Sequence, residues 1–162
     1  MRRTDCGSAM SKKLDLEELV TFRLSRLADS LERAATLAYG QSHELNLTAW
    51  RTLAILSQHE PTTAQDISRR SRIDKGWISR SVAKLESRGL LVRTPHGKDN
   101  RSVLLGLTDA GRHLVTQLAP LSKQRHETLL SVLGEDQRRA FLDSLDLIQR
   151  QVDRMLNQTE EE

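Results

Sequence analysis

Residues 63–108 read TAQDISRRSRIDKGWISRSVAKLESRGLLVRTPHGKDNRSVLLGLT. Thr63, with Asp66 three residues later, has the pattern of a capping box and opens a short helix through about Arg70. Asp74 is placed to cap a second helix over 75–87, and Gly89 to stop it. Residues 90–94 and 102–107 then read as two strands, joined by the turn chemistry of Pro95, His96, Gly97, Lys98, Asp99 and Asn100. Helix, tight turn, helix and hairpin in that order make a helix-turn-helix with a wing. Such a unit can lay its second helix in a DNA major groove.

The charge distribution agrees. Residues 68–101 hold ten Lys/Arg (Arg69, Arg70, Arg72, Lys75, Arg80, Lys84, Arg88, Arg93, Lys98, Arg101) against three acids (Asp74, Glu86, Asp99), a net +7. The rest of the chain carries a net −4, so the overall +3 hides a basic module in an acidic body. A polyanion is the partner such a module attracts.

On the second helix, Ile73, Ile78, Val82 and Leu85 form an inward side, with Ala64 and Ile67 from the helix before. The opposite side is expected to present Lys75, Trp77, Ser79, Arg80, Ser81 and Lys84. Arg80 and Lys84 can bond guanine edges or phosphates, and the two serines are short enough to let backbone approach the duplex. Gly76 removes a side chain near the point of entry, at a cost in helix propensity. In the wing, Lys98, Asp99 and Arg101 can reach an adjacent minor groove, whose negative potential favours a guanidinium. Asp99 is suited to orienting a basic side chain, with Arg101 or Arg72 as its partner.

Outside this stretch the chain is helical. Leu16, Val20, Leu24, Leu27, Leu31, Ala34 and Ala38 recur every three or four residues, and Gly40 is placed to end that helix. Thr48 is a candidate N-cap for the next, which contains Trp50, Leu53, Ala54, Ile55 and Leu56 before Pro61. Thr108 caps a further helix with Leu114, Leu118, Leu121, Leu129, Leu130 and Leu133, interrupted at Gly134. A last helix runs from about Glu135 to Asn157 through Phe141, Leu145, Ile148, Val152 and Met155.

The expected fold class is therefore mainly α with a small β-hairpin wing. The expected layout is a disordered segment 1–13, a dimerisation helix within 14–46, a winged helix-turn-helix over 47–108, dimerisation helices within 109–157 and an acidic tail 158–162. The apolar stripes of the end helices exceed what the small central module can cover, which predicts a two-fold homodimer rather than a monomeric bundle. Of the 162 residues only 37% are hydrophobic and 3% aromatic, which suits a chain that gains core by association. No apolar run reaches the roughly 18–20 residues of a membrane span, and MRRTDCGSAMSKK lacks the apolar region of a secretory signal. The expectation is a cytoplasmic protein with no membrane role, whose single cysteine, Cys6, forms no internal disulfide.

From about Leu47 to Gly111 the chain closely resembles the MarR family of winged-helix transcription regulators. LTAWRTLAIL, TAQDISRRSRIDKGWISRSVAKLESRGLLVR and the wing motif DNR within GKDNRSVLLGLTDAG carry the likeness together. The resemblance implies a homodimer whose recognition helices read successive major grooves of a pseudo-palindromic operator in double-stranded DNA. It matches Asp99 and Arg101 to the family's wing Asp-x-Arg, with Arg101 in the minor groove. It also implies repression, relieved when a small phenolic or aromatic carboxylate effector binds between the dimerisation and DNA-binding regions.

For such an effector, Arg23, His43, Trp50 and Arg51 fall in roughly the right segments. The plainer reading makes Trp50 core, Arg23 and Arg51 surface, and His43 a loop cap. Some family members sense peroxide through a cysteine near the first helix. Here Cys6 lies upstream of the expected helix, with nothing to fix Arg2 and Arg3 beside it as a low thiol pKa would require. The five histidines, His43, His59, His96, His113 and His126, lack ligand spacing, so no metal and no cofactor are expected. Nor is there a phosphate loop or a nucleophile with its base, so the chain does not read as an enzyme. The competing reading is a winged-helix module for protein interaction or RNA binding, without operator specificity.

Overall fold

The structure is a computed structural model and describes residues 14–95 and 103–160. The chain divides into two compact units, with the division between Leu107 and Thr108.

In the first unit a 3-10 turn, Leu16–Glu18, leads into α1 (Val20–His43). Then follow α2 (Leu47–His59), α3 (Ala64–Ser71), α4 (Lys75–Ser87), β1 (Leu91–Pro95) and β2 (Val103–Leu107). The caps explain most of the boundaries. Thr63 Oγ1 accepts from the Asp66 N–H at 3.1 Å and starts α3. Asp74 Oδ1 accepts from the N–H groups of Gly76 (2.8 Å) and Trp77 (3.3 Å) and starts α4. Gly89 follows α4 at φ +67°, a left-handed conformation that costs glycine little.

Helix boundaries in this unit differ from the sequence reading in part: Leu16, read as the start of the first helical stripe, lies in the separate 3-10 turn. The N-cap of α2 is Asn46, whose side chain accepts from the Ala49 N–H at 2.8 Å, rather than Thr48. The first helix does not stop at Gly40 but runs on to His43 and closes on Glu44, which takes the left-handed conformation at φ 53°. Its last carbonyls are held from outside. Arg88 donates to the His43 carbonyl at 2.9 Å and to the Glu44 carbonyl at 3.2 Å.

The core of this unit lies where α2, α3, α4 and the hairpin meet. Leu53, Leu56, Ile67, Ile78, Leu85, Leu91 and Leu105 are all fully buried there. Burying each such side chain is worth about 1.5–3 kcal/mol. The strands pair antiparallel, from Leu91 opposite Leu107 to Pro95 opposite Val103. Thr62, in the loop after α2, joins the far side of β2: its N–H donates to Leu105 O (3.2 Å) and its carbonyl accepts from Leu105 N (2.7 Å). Glu60 Oε2 accepts from the Leu107 N–H at 2.8 Å. The hairpin is therefore rooted in the α2–α3 loop as well as by the pairing of its two strands.

The second unit is a pair of helices, α5 (Asp109–Leu130) and α6 (Glu135–Glu160). Thr108 caps α5 by accepting from the Gly111 N–H at 3.0 Å. Arg138 of α6 bonds back to Glu127 (3.1 Å) and His126 (3.1 Å) of α5, bracing the turn between them. The final helix extends to Glu160, past the expected end at Asn157 and into the segment read as a tail. No helix among the described residues is long and apolar enough to cross a membrane.

Candidate nucleic-acid interface

The interface is built on α4. Ile78, Val82 and Leu85 recur at helical spacing and are buried, and α4 packs on α2, α3 and β1. That stripe fixes which way the helix faces. Lys75, Trp77, Ser79, Arg80 and Lys84 are all exposed, as the sequence reading placed them. Between them stand Gly76 and Ala83, so that Trp77, Arg80 and Lys84 project beyond small neighbours.

Ser81 is the exception. It is only 8% exposed, and its Oγ lies 3.4 Å from Thr52 Oγ1 on α2. It therefore does not share the exposed side of α4. Three residues after Ile78 and four before Leu85, it sits on the buried stripe of a 3.6-residue helix. Its hydroxyl pairs with another core hydroxyl, and Thr52 in turn donates to the Thr48 carbonyl at 2.8 Å.

The basic residues divide by what holds them. Arg69 is paired with Asp66, and Arg93 Nε bonds Glu86 Oε2 at 2.7 Å. Arg88 is turned back to the end of α1. The Arg80 guanidinium carbon lies 4.3 Å from the centroid of the Trp77 ring, a cation–π arrangement on the open face of α4. Arg72 occupies the α3–α4 turn at φ 58°, exposed. Lys98, Asp99 and Arg101 lie outside the described residues, as does Cys6. Asp66 is held below its ordinary carboxylate range, first by the hydrogen bond that the Thr63 hydroxyl donates at 2.8 Å. The Arg69 charge adds to this, while partial burial works against it.

The whole arrangement is one that known proteins share. A family model described as the MarR family matches residues 45–103, which span α2, α3, α4 and the start of β2. The solved structure of the transcriptional repressor CouR, bound to a 23-mer DNA duplex, is 30% identical to this chain. The match covers 82% of this chain and 94% of that one, with a TM-score of 0.73. The chain belongs to the MarR family. A crystal structure of a MarR/EmrR family regulator from Acinetobacter sp. ADP1 is 26% identical, with a TM-score of 0.81, covering 87% of this chain and 99% of that one. The transcriptional repressor NicR of Pseudomonas putida is 26% identical over 118 residues, 72% of this chain and 75% of that protein. As a MarR-family member, the chain is a DNA-binding transcription regulator with a winged-helix fold.

The candidate effector residues of this MarR-family chain do not converge within one copy. Trp50 is a core side chain, 7% exposed, stacked at 5.6 Å and 33° on Tyr39, which is itself buried. Arg23 and Arg51 are exposed, and His43 is half-buried with its carbonyl taken by Arg88. Arg23 and His43 stand near opposite ends of the same helix. Twenty residues at 1.5 Å each set them about 30 Å apart, too far to line one small pocket. No cluster of three His, Cys, Asp or Glu side chains able to hold a metal ion occurs among the described residues.

Sequence reasoning had no role for Arg88, Glu60, Thr62 or Tyr39. Arg88 was counted only as part of the basic module. Its one local signal was its place at the end of α4, which gives no hint of a partner on α1.

Proposed function

We propose that this chain is a transcriptional repressor that binds a pseudo-palindromic operator as a homodimer in the cytoplasm. One observation carries the reading: α4 buries Ile78, Val82 and Leu85 on one side and presents Lys75, Trp77, Ser79, Arg80 and Lys84 on the other. A helix so mounted can enter a major groove with its N-terminal half foremost. The wing completes the grip. In this reading Lys98 and Arg101 are the residues that reach the flanking minor groove, with Asp99 orienting Arg101 or Arg72, the latter exposed in the α3–α4 turn. That NicR and CouR are both repressors supports the sign of regulation.

The end helices support the dimer. Leu16, Leu19, Val20 and Leu27 before and along α1, and Phe141, Ile148, Val152 and Met155 along α6, are each more than a third exposed in the single chain. Faces of this composition are buried by a second copy. Release by a small aromatic or phenolic effector follows the resemblance to the family. Since Arg23 and His43 are so far apart on α1, a pocket using both would draw on two copies.

The test is selection of bound sequences from a random duplex pool with the full chain at physiological salt. A pseudo-palindrome with half-sites about one helical turn apart, bound with a steep loss of affinity as salt rises, is expected. Uniform binding with no recovered motif would overturn the repressor reading and favour a scaffold or RNA-binding role.

A further inference from the structure

Trp77 is 59% exposed in the first turn of α4, outside the buried stripe of that helix. What it does contact is Arg80, whose guanidinium carbon lies 4.3 Å from the ring centroid. The two are three residues apart, so they are neighbours on one helix face. A guanidinium carries its N–H donors in its own plane, so a contact between its face and a ring does not use them up. A Cβ at Gly76 would lie 3.0 Å from Asp74 Oδ1, crowding the helix cap, and 3.6 Å from Arg80 Nη1, an ordinary contact. Among the described residues no carboxylate forms an ion pair with Arg80, so the indole is the partner that holds it.

We propose that Trp77 determines base specificity through Arg80, holding its guanidinium edge-on to one guanine in each half-site. This rests on the operator-reading function above and deepens it by naming the base and the pair of side chains that reads it. An arginine held only by water samples many rotamers, and it settles on a phosphate as readily as on a base. A guanidinium already laid on an indole has lost that freedom and presents a fixed fork of donors. Guanine offers two adjacent acceptors, O6 and N7, in the major groove. Adenine replaces one of them with a donor amino group, which a fork without acceptors rejects.

The experiment takes the duplex recovered by the full-length chain and every single base-pair change within its half-site, and measures each affinity by fluorescence anisotropy. Arg80→Ala and Trp77→Ala are expected to lose discrimination at the same base pair, a G·C pair, by roughly five- to tenfold for the tryptophan. Adding Trp77→Ala to Arg80→Ala produces no further loss there. Trp77→Phe keeps a ring face and recovers part of the discrimination, whereas Arg80→Lys keeps the charge without the fork and does not. Thermal melting checks that the variants stay folded, as the exposure of both side chains predicts. Loss at different base pairs, additive losses, or a uniform drop across all duplexes overturns the pairing while the operator-reading function stands. If the unaltered chain recovers no motif, that function fails and the pairing falls with it.

Discussion

Thr63 and Asp66 hold the start of α3 by a reciprocal exchange. The Thr63 oxygen accepts from the Asp66 N–H, and its hydroxyl donates to the Asp66 carboxylate, which also pairs with Arg69. All these contacts favour the ionised carboxyl, and its pKa is lowered accordingly. A carboxyl depressed in the folded state binds fewer protons than in the unfolded chain. Its contribution is therefore present above the ordinary aspartate value of about 3.9 and is lost as pH falls through the lower folded value. Asp66→Asn should be less stable than the parent at neutral pH. Urea unfolding between pH 7 and pH 3 should show that gap narrowing on the acid side; a gap independent of pH would refute the charge argument. Arg101→Ala belongs to the same scale. It should weaken operator binding by about 1–3 kcal/mol, as loss of a specific contact does. Unchanged affinity in an anisotropy titration would remove Arg101 from the wing's DNA contacts. Thr63 and Asp66 were legible in the sequence because their partners lie within one helical turn. Ser81 was legible too, since its spacing from Ile78 and Leu85 puts it on the buried stripe, but its polarity was given more weight than its position.

At the scale of elements, α4 is fixed at both ends and along one side. Its N-terminus is capped by Asp74, and its buried stripe packs in the core. Just past its C-terminus Arg88 reaches the last carbonyls of α1. The orientation of the reading helix is thereby tied to the end of the helix proposed for dimerisation. Arg88→Ala should cost about 1–3 kcal/mol, the loss of hydrogen bonds made by a charged donor. Arg88→Lys should recover only part, because an ammonium lacks the fork that spans two carbonyls. Denaturant midpoints of the three proteins check this; a lysine variant as stable as the parent would mean that charge alone matters. Removing core volume acts more strongly. Ile78→Ala should cost about 2–5 kcal/mol and take operator binding with it, measured by thermal melting and anisotropy together. The order of elements and the caps of α3, α4 and α5 were readable from the chain, because a cap and its recipient are two or three residues apart. The end of α1 was not: glycine usually marks such an end, but here the backbone closes on a left-handed Glu44, whose N–H donates to the Gly40 carbonyl, and a distant arginine holds the His43 and Glu44 carbonyls.

At the scale of the whole molecule, the apolar faces of α1 and α6 stand out against an acidic, highly charged body. On α6, Phe141, Leu145, Ile148, Val152 and Met155 alternate at spacings of four and three, the seam of helices that pack lengthwise. Ile148→Glu should leave the chain monomeric at concentrations where the parent is dimeric, as sedimentation would show. Operator affinity should fall with it, because two half-sites would no longer be bound together. A dimer that persists would move the proposed interface away from α6.

The sequence by itself determined the winged helix-turn-helix, the basic face of its second helix and the apolar seams of its end helices. These rest on caps and periodicities that act within a few residues, so the local pattern contains them. Only the tertiary structure decided that Thr62 joins the wing's sheet, that Arg88 holds the end of α1 and that Tyr39 and Trp50 stack. It also set Arg23 and His43 at opposite ends of one helix. Each of these depends on how elements far apart in sequence come to lie, and no local preference encodes that; it follows from packing the buried stripes against one another.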